Sequence, residues 1–180
     1  MNTKKMTKFI VTNALLIALT VVFTLISNYV QILPGVAINL SLVTIALAAI
    51  LYGWKSGFLV GCVNGGIVMI GASIFFSVNP IATPFICLLK SGLAGVVCAL
   101  LFKLISKKNE YVAVFASSLM VPLINTGLFM LSTYLFFPKE FFFAYCIPSV
   151  WNFILEIVLS VLLAPAVYYI LKVFEKKFAK

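Results

Sequence analysis

The chain has 180 residues, of which 64% are hydrophobic and 9% charged, an apolar excess that a soluble domain of this length has no core large enough to hide. A β-barrel is disfavoured as well, because its strands alternate apolar and polar residues while the runs here are apolar all round. An all-α integral membrane protein is left, and the formal charge of +9, which in a soluble protein would suggest a nucleic-acid partner, reads instead as lysine collected in cytoplasmic loops, with the lipid bilayer as surroundings and no nucleic acid.

At roughly 20 apolar residues per helical crossing, the sequence predicts a single transmembrane domain over residues 1–180, a bundle of six transmembrane helices at about 9–27, 38–52, 57–76, 82–105, 111–137 and 147–172. The opening "MNTKKMTKFIVTNALLIALTVVF" starts like a signal peptide, but no A-x-A cleavage site follows, so it is expected to stay as the first span. Within it Ala14 and Ala18 are four apart and open a shallow groove on one helix face, towards the basic end. Pro34 and Gly35 in "NYVQILPGVAI" separate the first span from the second. "YGWKSG" is a glycine-flanked turn into the third, where Gly57, Gly61 and Gly65 repeat the small-residue spacing. The stretch "AAILYGWKS" is no phosphate loop, since Ala48 stands where the first glycine belongs and Trp54 intrudes before Lys55. "SVNPIATP" breaks the chain before the fourth span, which carries Ser91, Gly95 and Ala99 at the same small-residue spacing. "SKKNE" and "PKEFFF" flank the fifth span, and the sixth follows.

The basic residues are all Lys. Lys4, Lys5 and Lys8, then Lys55, then Lys103, Lys107 and Lys108, and finally Lys172, Lys176, Lys177 and Lys180 fall on one side of this topology, against Lys139 on the other. That asymmetry predicts a cytoplasmic N-terminus and C-terminus. Abundant Phe and Ile without Arg suit an AT-rich bacterial genome, and hence a bacterial cell membrane. Cys62, Cys87, Cys98 and Cys146 show no CxxC pairing and sit in or beside apolar runs as small hydrophobes, so neither a metal site nor a cofactor is expected.

Lys90 is the one lysine left inside a span, roughly 9 Å past Pro84 at 1.5 Å per residue. Glu156 is expected roughly 12 Å past Pro148 in a span running the same way. Each charge would cost on the order of 3 kcal/mol facing lipid at a helix centre, so both are expected to face the bundle interior. Asn152 shares the helix face of Glu156, with Trp151 beside it. In the fifth span Ser118, Pro122, Asn125, Phe129 and Ser132 share a stripe. These groups suit either a structural ion pair between helices, with the amides as hydrogen-bond glue, or an outward-opening pocket for a small solute.

Several stretches together, "ALLIA", "LSLVTIALAAILYGWKSGFLVG", "LLKSGLAGVVCALLFKL" and "LINTGLFML", resemble the S components of energy-coupling factor (ECF) vitamin transporters, nearest the branch with folate, pantothenate and riboflavin binders. The resemblance implies a substrate-capturing subunit without catalysis of its own, working with a transmembrane coupling subunit and two ATPase subunits. It implies that Ala14 and Ala18 dock on the coupling subunit. It also implies a vitamin pocket near the outer face at Lys90, Asn125, Asn152 and Glu156, with Gln31 and Thr83 from outer loops, and a toppling of the subunit that carries the pocket inward. With no arginine in the chain, Lys90 is the expected counter-charge to a ligand carboxylate, Glu156 and Asn152 are hydrogen-bond partners, and Trp151 is an apolar wall. Two other readings are a self-sufficient carrier or channel and an intramembrane enzyme, the latter disfavoured by the lack of His and Asp.

Overall fold

A computed structural model describes the backbone of residues 3–29, 31–33 and 36–178, and the side chains of residues 6–7, 9–27 and 38–173. The described helices are α1 (Thr3–Tyr29), α2 (Ser41–Tyr52), α3 (Trp54–Gly71), α4 (Ser73–Val78), α5 (Ala82–Ile105), α6 (Glu110–Phe136) and α7 (Lys139–Phe178). A two-stranded antiparallel ribbon, β1 (Gln31–Leu33) with β2 (Val36–Ala37), joins α1 to α2. Four helices, α1, α5, α6 and α7, are long and apolar enough to cross a membrane, so the chain is a multi-pass membrane protein built of helices.

The described helices number seven, not the six expected from the apolar runs. The segment 57–76 is not continuous: it breaks at Ala72, whose ψ of 34° leaves the helical range and whose N–H turns back to the Met69 carbonyl. A second difference lies at residues 138–146, expected as a loop and found as the first turns of α7. Proline is tolerated at a helix start, where its missing N–H costs nothing, and Pro138 directly precedes α7 while Glu140 complements the dipole of its first turn.

Two packing features position the site. From Ser41 to Ile50 every residue of α2 is buried, against α1, α3, α5, α6 and α7. This helix is apolar all round and forms the axis of the bundle. It ends at Gly53, whose φ of +84° favours glycine and turns the chain into α3. The second feature is the seam between α3 and α5. A Cβ on Gly61 would lie 2.3 Å from the Ser91 carbonyl oxygen, and one on Gly65 would lie 2.2 Å from that of Cys87. The two helices therefore meet backbone against backbone, which fixes the height of α5 and of the polar residues it carries.

At one end of the bundle Phe9 stacks edge-on against Tyr52 and Lys172 pairs with Glu110. This is the lysine-rich end, and the ribbon, α4 and the α6–α7 turn form the other, the ribbon end.

Candidate functional site: a polar cavity above the α2 N-terminus

At 1.5 Å per residue a helix of 12 residues spans roughly 18 Å, well short of the ~30 Å hydrocarbon core. The space that α2 leaves towards the ribbon end is a cavity of about 430 Å³ walled by α1, α3, α4, α5, α6 and α7. That volume is in the range of small-molecule sites, ~300–1,000 Å³.

Its floor is polar. Glu156 is 3% exposed, and its Oε1 accepts from the Asn39 backbone N–H (3.3 Å) and from Asn152 Nδ2 (3.2 Å) while Oε2 accepts from the Thr126 hydroxyl (3.3 Å). Asn39 stands just before α2, so the carboxylate also sits at the positive end of that helix. Lys90 faces the same cavity with its Nζ 4.9 Å from the centroid of the Phe129 ring, attracted by Glu156 without a direct ion pair between them. Cation and anion thus line one cavity without closing an ion pair.

Behind the floor runs a chain of buried hydrogen bonds. Asn64 is 0% exposed; its Oδ1 accepts from Thr24 (2.9 Å) and Ser41 (2.6 Å), and its Nδ2 donates to Ser91 Oγ (3.0 Å). Ser91 in turn donates to Asn125 Oδ1 at 3.1 Å. Five helices are joined through Asn64, and the direction of the bonds sets the polarity of the floor: Asn125 has its oxygen committed behind, leaving Nδ2 to face the cavity as a donor. Asn152 also lines the cavity; its Nδ2 is spent on Glu156 and its Oδ1 is buried without a hydrogen-bond partner among the described residues. The Ser41 hydroxyl also contacts Asn39 Oδ1, so the Ser41 proton is shared between two acceptors.

Aromatic rings close the ribbon end. Phe75 of α4 packs on Phe129, Phe137, Phe141 and Tyr145, with centroid distances from 5.0 to 5.8 Å. The turns of α7 expected to be a loop supply two of these rings, Phe141 and Tyr145, and the break at Ala72 allows α4 to lay Phe75 across them.

Of the residues singled out from the sequence, Lys90, Glu156, Asn152, Asn125 and Thr83 line this one cavity. Trp151 does not. It is 68% exposed and outside the lining, because a helix turns about 100° per residue and the neighbour of an inward Asn152 points away, towards lipid. Gln31 lies in β1, and its side chain is outside the described residues. Ala14 and Ala18 are far from the cavity, on an exposed face of α1 that also shows Ile10, Val11, Leu15 and Val22. The four cysteines are free thiols, and Cys87 reaches the cavity wall.

Sequence reasoning passed over Asn39, Thr126, Thr24, Phe75 and Asn64. Asn64 carried a legible signal, a lone amide in the apolar and glycine-rich stretch "GCVNGG". Thr24 and Thr126 did not, since a threonine in a membrane helix commonly bonds its own backbone.

No curated protein and no solved structure matches the chain. A family model does: the one described as "ECF transporter, substrate-specific component" matches residues 8–168, most of the chain and all the elements that wall the cavity. The chain belongs to the substrate-specific components of the ECF transporters.

Proposed function

We infer that the chain captures a water-soluble vitamin or related micronutrient bearing an acid group, from outside a bacterial cell, and delivers it inward together with a transmembrane coupling subunit and two ATPase subunits. Substrate-specific components of ECF transporters work with such partners and are not themselves enzymes. The observation that carries the reading for this chain is that Lys90 and Glu156 line one cavity of about 430 Å³ with no ion pair between them among the described residues. A purely structural ion pair would join the two groups directly. Here the amine stays available for an oxyanion, and Glu156 in the polar floor balances its charge.

The roles follow from the bonds. Lys90 is the counter-charge to the ligand's acid, Asn125 Nδ2 is a second donor, and Asn152 is a hydrogen-bond partner at the cavity wall. Glu156, with its oxygens already accepting three hydrogen bonds, orients Asn152 and Asn39. Thr83 borders the cavity near the ribbon end, and Phe75, Phe129 and Tyr145 form the apolar walls. The ribbon end faces outward in this reading, with the lysine-rich end and both termini in the cytoplasm.

A thermal-shift or native mass-spectrometry screen of B vitamins against the purified chain identifies the ligand. Lys90→Ala is then expected to lower affinity by about tenfold or more, as a charged hydrogen bond is worth ~1.5–3 kcal/mol. If Lys90→Ala and Glu156→Ala both bind the vitamin as the parent chain does, the site is wrong. Uptake by the chain alone in ATP-free vesicles would favour a self-sufficient carrier.

A further inference from the structure

The protons in the row behind the floor do not divide evenly among its donor–acceptor pairs. Thr24 Oγ1 is 2.6 Å from the Thr20 carbonyl oxygen and 2.9 Å from Asn64 Oδ1. The Ser41 hydroxyl likewise meets both Asn39 Oδ1 and Asn64 Oδ1. Asn64 Nδ2 with Ser91, and Ser91 with Asn125, complete the row. In the order found here the Thr24 and Ser41 hydroxyls each have one proton for two acceptors. Asn64 meanwhile is 0% exposed and uses one of its two Nδ2 hydrogens, on Ser91.

Turning the Asn64 amide over, at the same heavy-atom positions, removes the mismatch. Its two N–H groups then point at the Thr24 and Ser41 oxygens, while those hydroxyls donate to the Thr20 carbonyl and to Asn39 Oδ1. Asn64 Oδ1 now accepts from Ser91. With its proton spent there, Ser91 accepts from Asn125 Nδ2, so the Asn125 amide turns as well and presents Oδ1 to the cavity. Every pair in this second order has a proton of its own. The first order shares two protons, and what offsets that is an acceptor in the cavity for Asn125 Nδ2.

We propose that the cavity floor has two hydrogen-bond orders, one presenting a donor at Asn125 and the other an acceptor, and that Thr24 of α1 and Ser41 of α2 are the positioning residues that set the balance between them. This rests on the reading of the cavity as the ligand site: there an acid binds and holds the donor order, whereas a ligand N–H or O–H selects the acceptor order. Specificity for an acid is then set from behind the floor as well as by Lys90.

The test needs no ligand. The full chain in nanodiscs carries 15N in asparagine and 13C in serine, and nuclear Overhauser cross-peaks from the Asn64 Nδ2 hydrogens report where the amide points. The donor order favours cross-peaks to Ser91 and the acceptor order favours those to Ser41. The parent chain is expected to show both, with exchange between them. Thr24→Val keeps the shape of the side chain but leaves one Asn64 N–H of the acceptor order unpaired, so the ratio is expected to move towards Ser91 by about fivefold, the equivalent of one hydrogen bond. Asn39→Ala takes away the second acceptor of Ser41 and keeps the backbone N–H that serves Glu156, and is expected to move the ratio the same way. A parent chain held in one order alone overturns the proposal, as does a ratio that neither variant moves. Either result leaves the acid reading standing, since that reading is tested separately by the affinities of Lys90→Ala and Glu156→Ala.

Discussion

Ser91 has two partners and one proton, and that arithmetic reaches the ligand. Its hydroxyl accepts from Asn64 and so has its single O–H for Asn125, which pins the Asn125 amide with nitrogen towards the cavity. Ser91→Ala removes both bonds and leaves Asn64 Nδ2 and Asn125 Oδ1 buried without partners, at ~1–3 kcal/mol for such a group. The expected outcome is a lower thermal midpoint together with a loss of vitamin affinity of about fivefold or more, read by titration calorimetry. Ser91→Thr keeps the hydroxyl and is expected to recover the affinity in part, although its methyl group meets the tight α3–α5 seam. An affinity unchanged in Ser91→Ala would mean that the Asn125 orientation does not matter to the ligand.

Between elements the seam of α3 with α5 sets the tolerance to substitution, and two glycines on α3, Gly61 and Gly66, give opposite expectations. Gly61→Ala places a Cβ against the Ser91 backbone carbonyl, which has no flexible end to move aside, so α3 and α5 must separate. Overpacking of that kind costs ~1–3 kcal/mol, and the displaced α5 carries Lys90 with it, so both the thermal midpoint and vitamin binding are expected to fall. Gly66→Ala meets nothing within 4 Å and gains helix propensity, so its midpoint is expected to hold or rise. The reverse order in a melting experiment would show that the seam is looser than it stands here. This seam was legible in the sequence as glycine and small residues at four-residue spacing, and so was the inward turn of Lys90, Glu156, Asn125 and Asn152, because charge and amide groups in lipid have few other places to go. What was not legible depended on particular backbone angles and on contacts between distant segments. Nothing in "IGASIFF" marks Ala72 as the end of α3, and "PKEFFFAYC" has the proline of a turn while its residues continue as helix. Trp151 failed for a different reason: adjacency to a site residue along a helix implies a different direction, not a shared one.

Across the whole molecule the ligand floor and the outer face of α1 belong to one connected structure. Thr24 and Thr20 of α1 bond to Asn64 and Thr44 on the inward side, while Ala14, Ala18 and their neighbours Leu15 and Val22 lie exposed on the outward side. A helix so divided is anchored by its polar stripe and leaves its small-residue stripe free for a partner helix, whose close approach the two alanines permit. Ala14→Trp and Ala18→Trp fill that shallow groove without touching any group that bonds to the cavity floor. Each is therefore expected to leave the thermal midpoint and vitamin affinity of the isolated chain unchanged, and to reduce co-purification with the coupling subunit and ATPases by about tenfold or more, the effect of ~1.4 kcal/mol lost at the contact. Tryptophan at Leu25, also exposed on α1 but nearer the ribbon end, is the comparison. A loss of the complex with Leu25→Trp and not with the two alanine variants would move the partner contact to the ribbon end of α1, and a loss of vitamin affinity in Ala14→Trp would mean that the outward face and the floor are not separable.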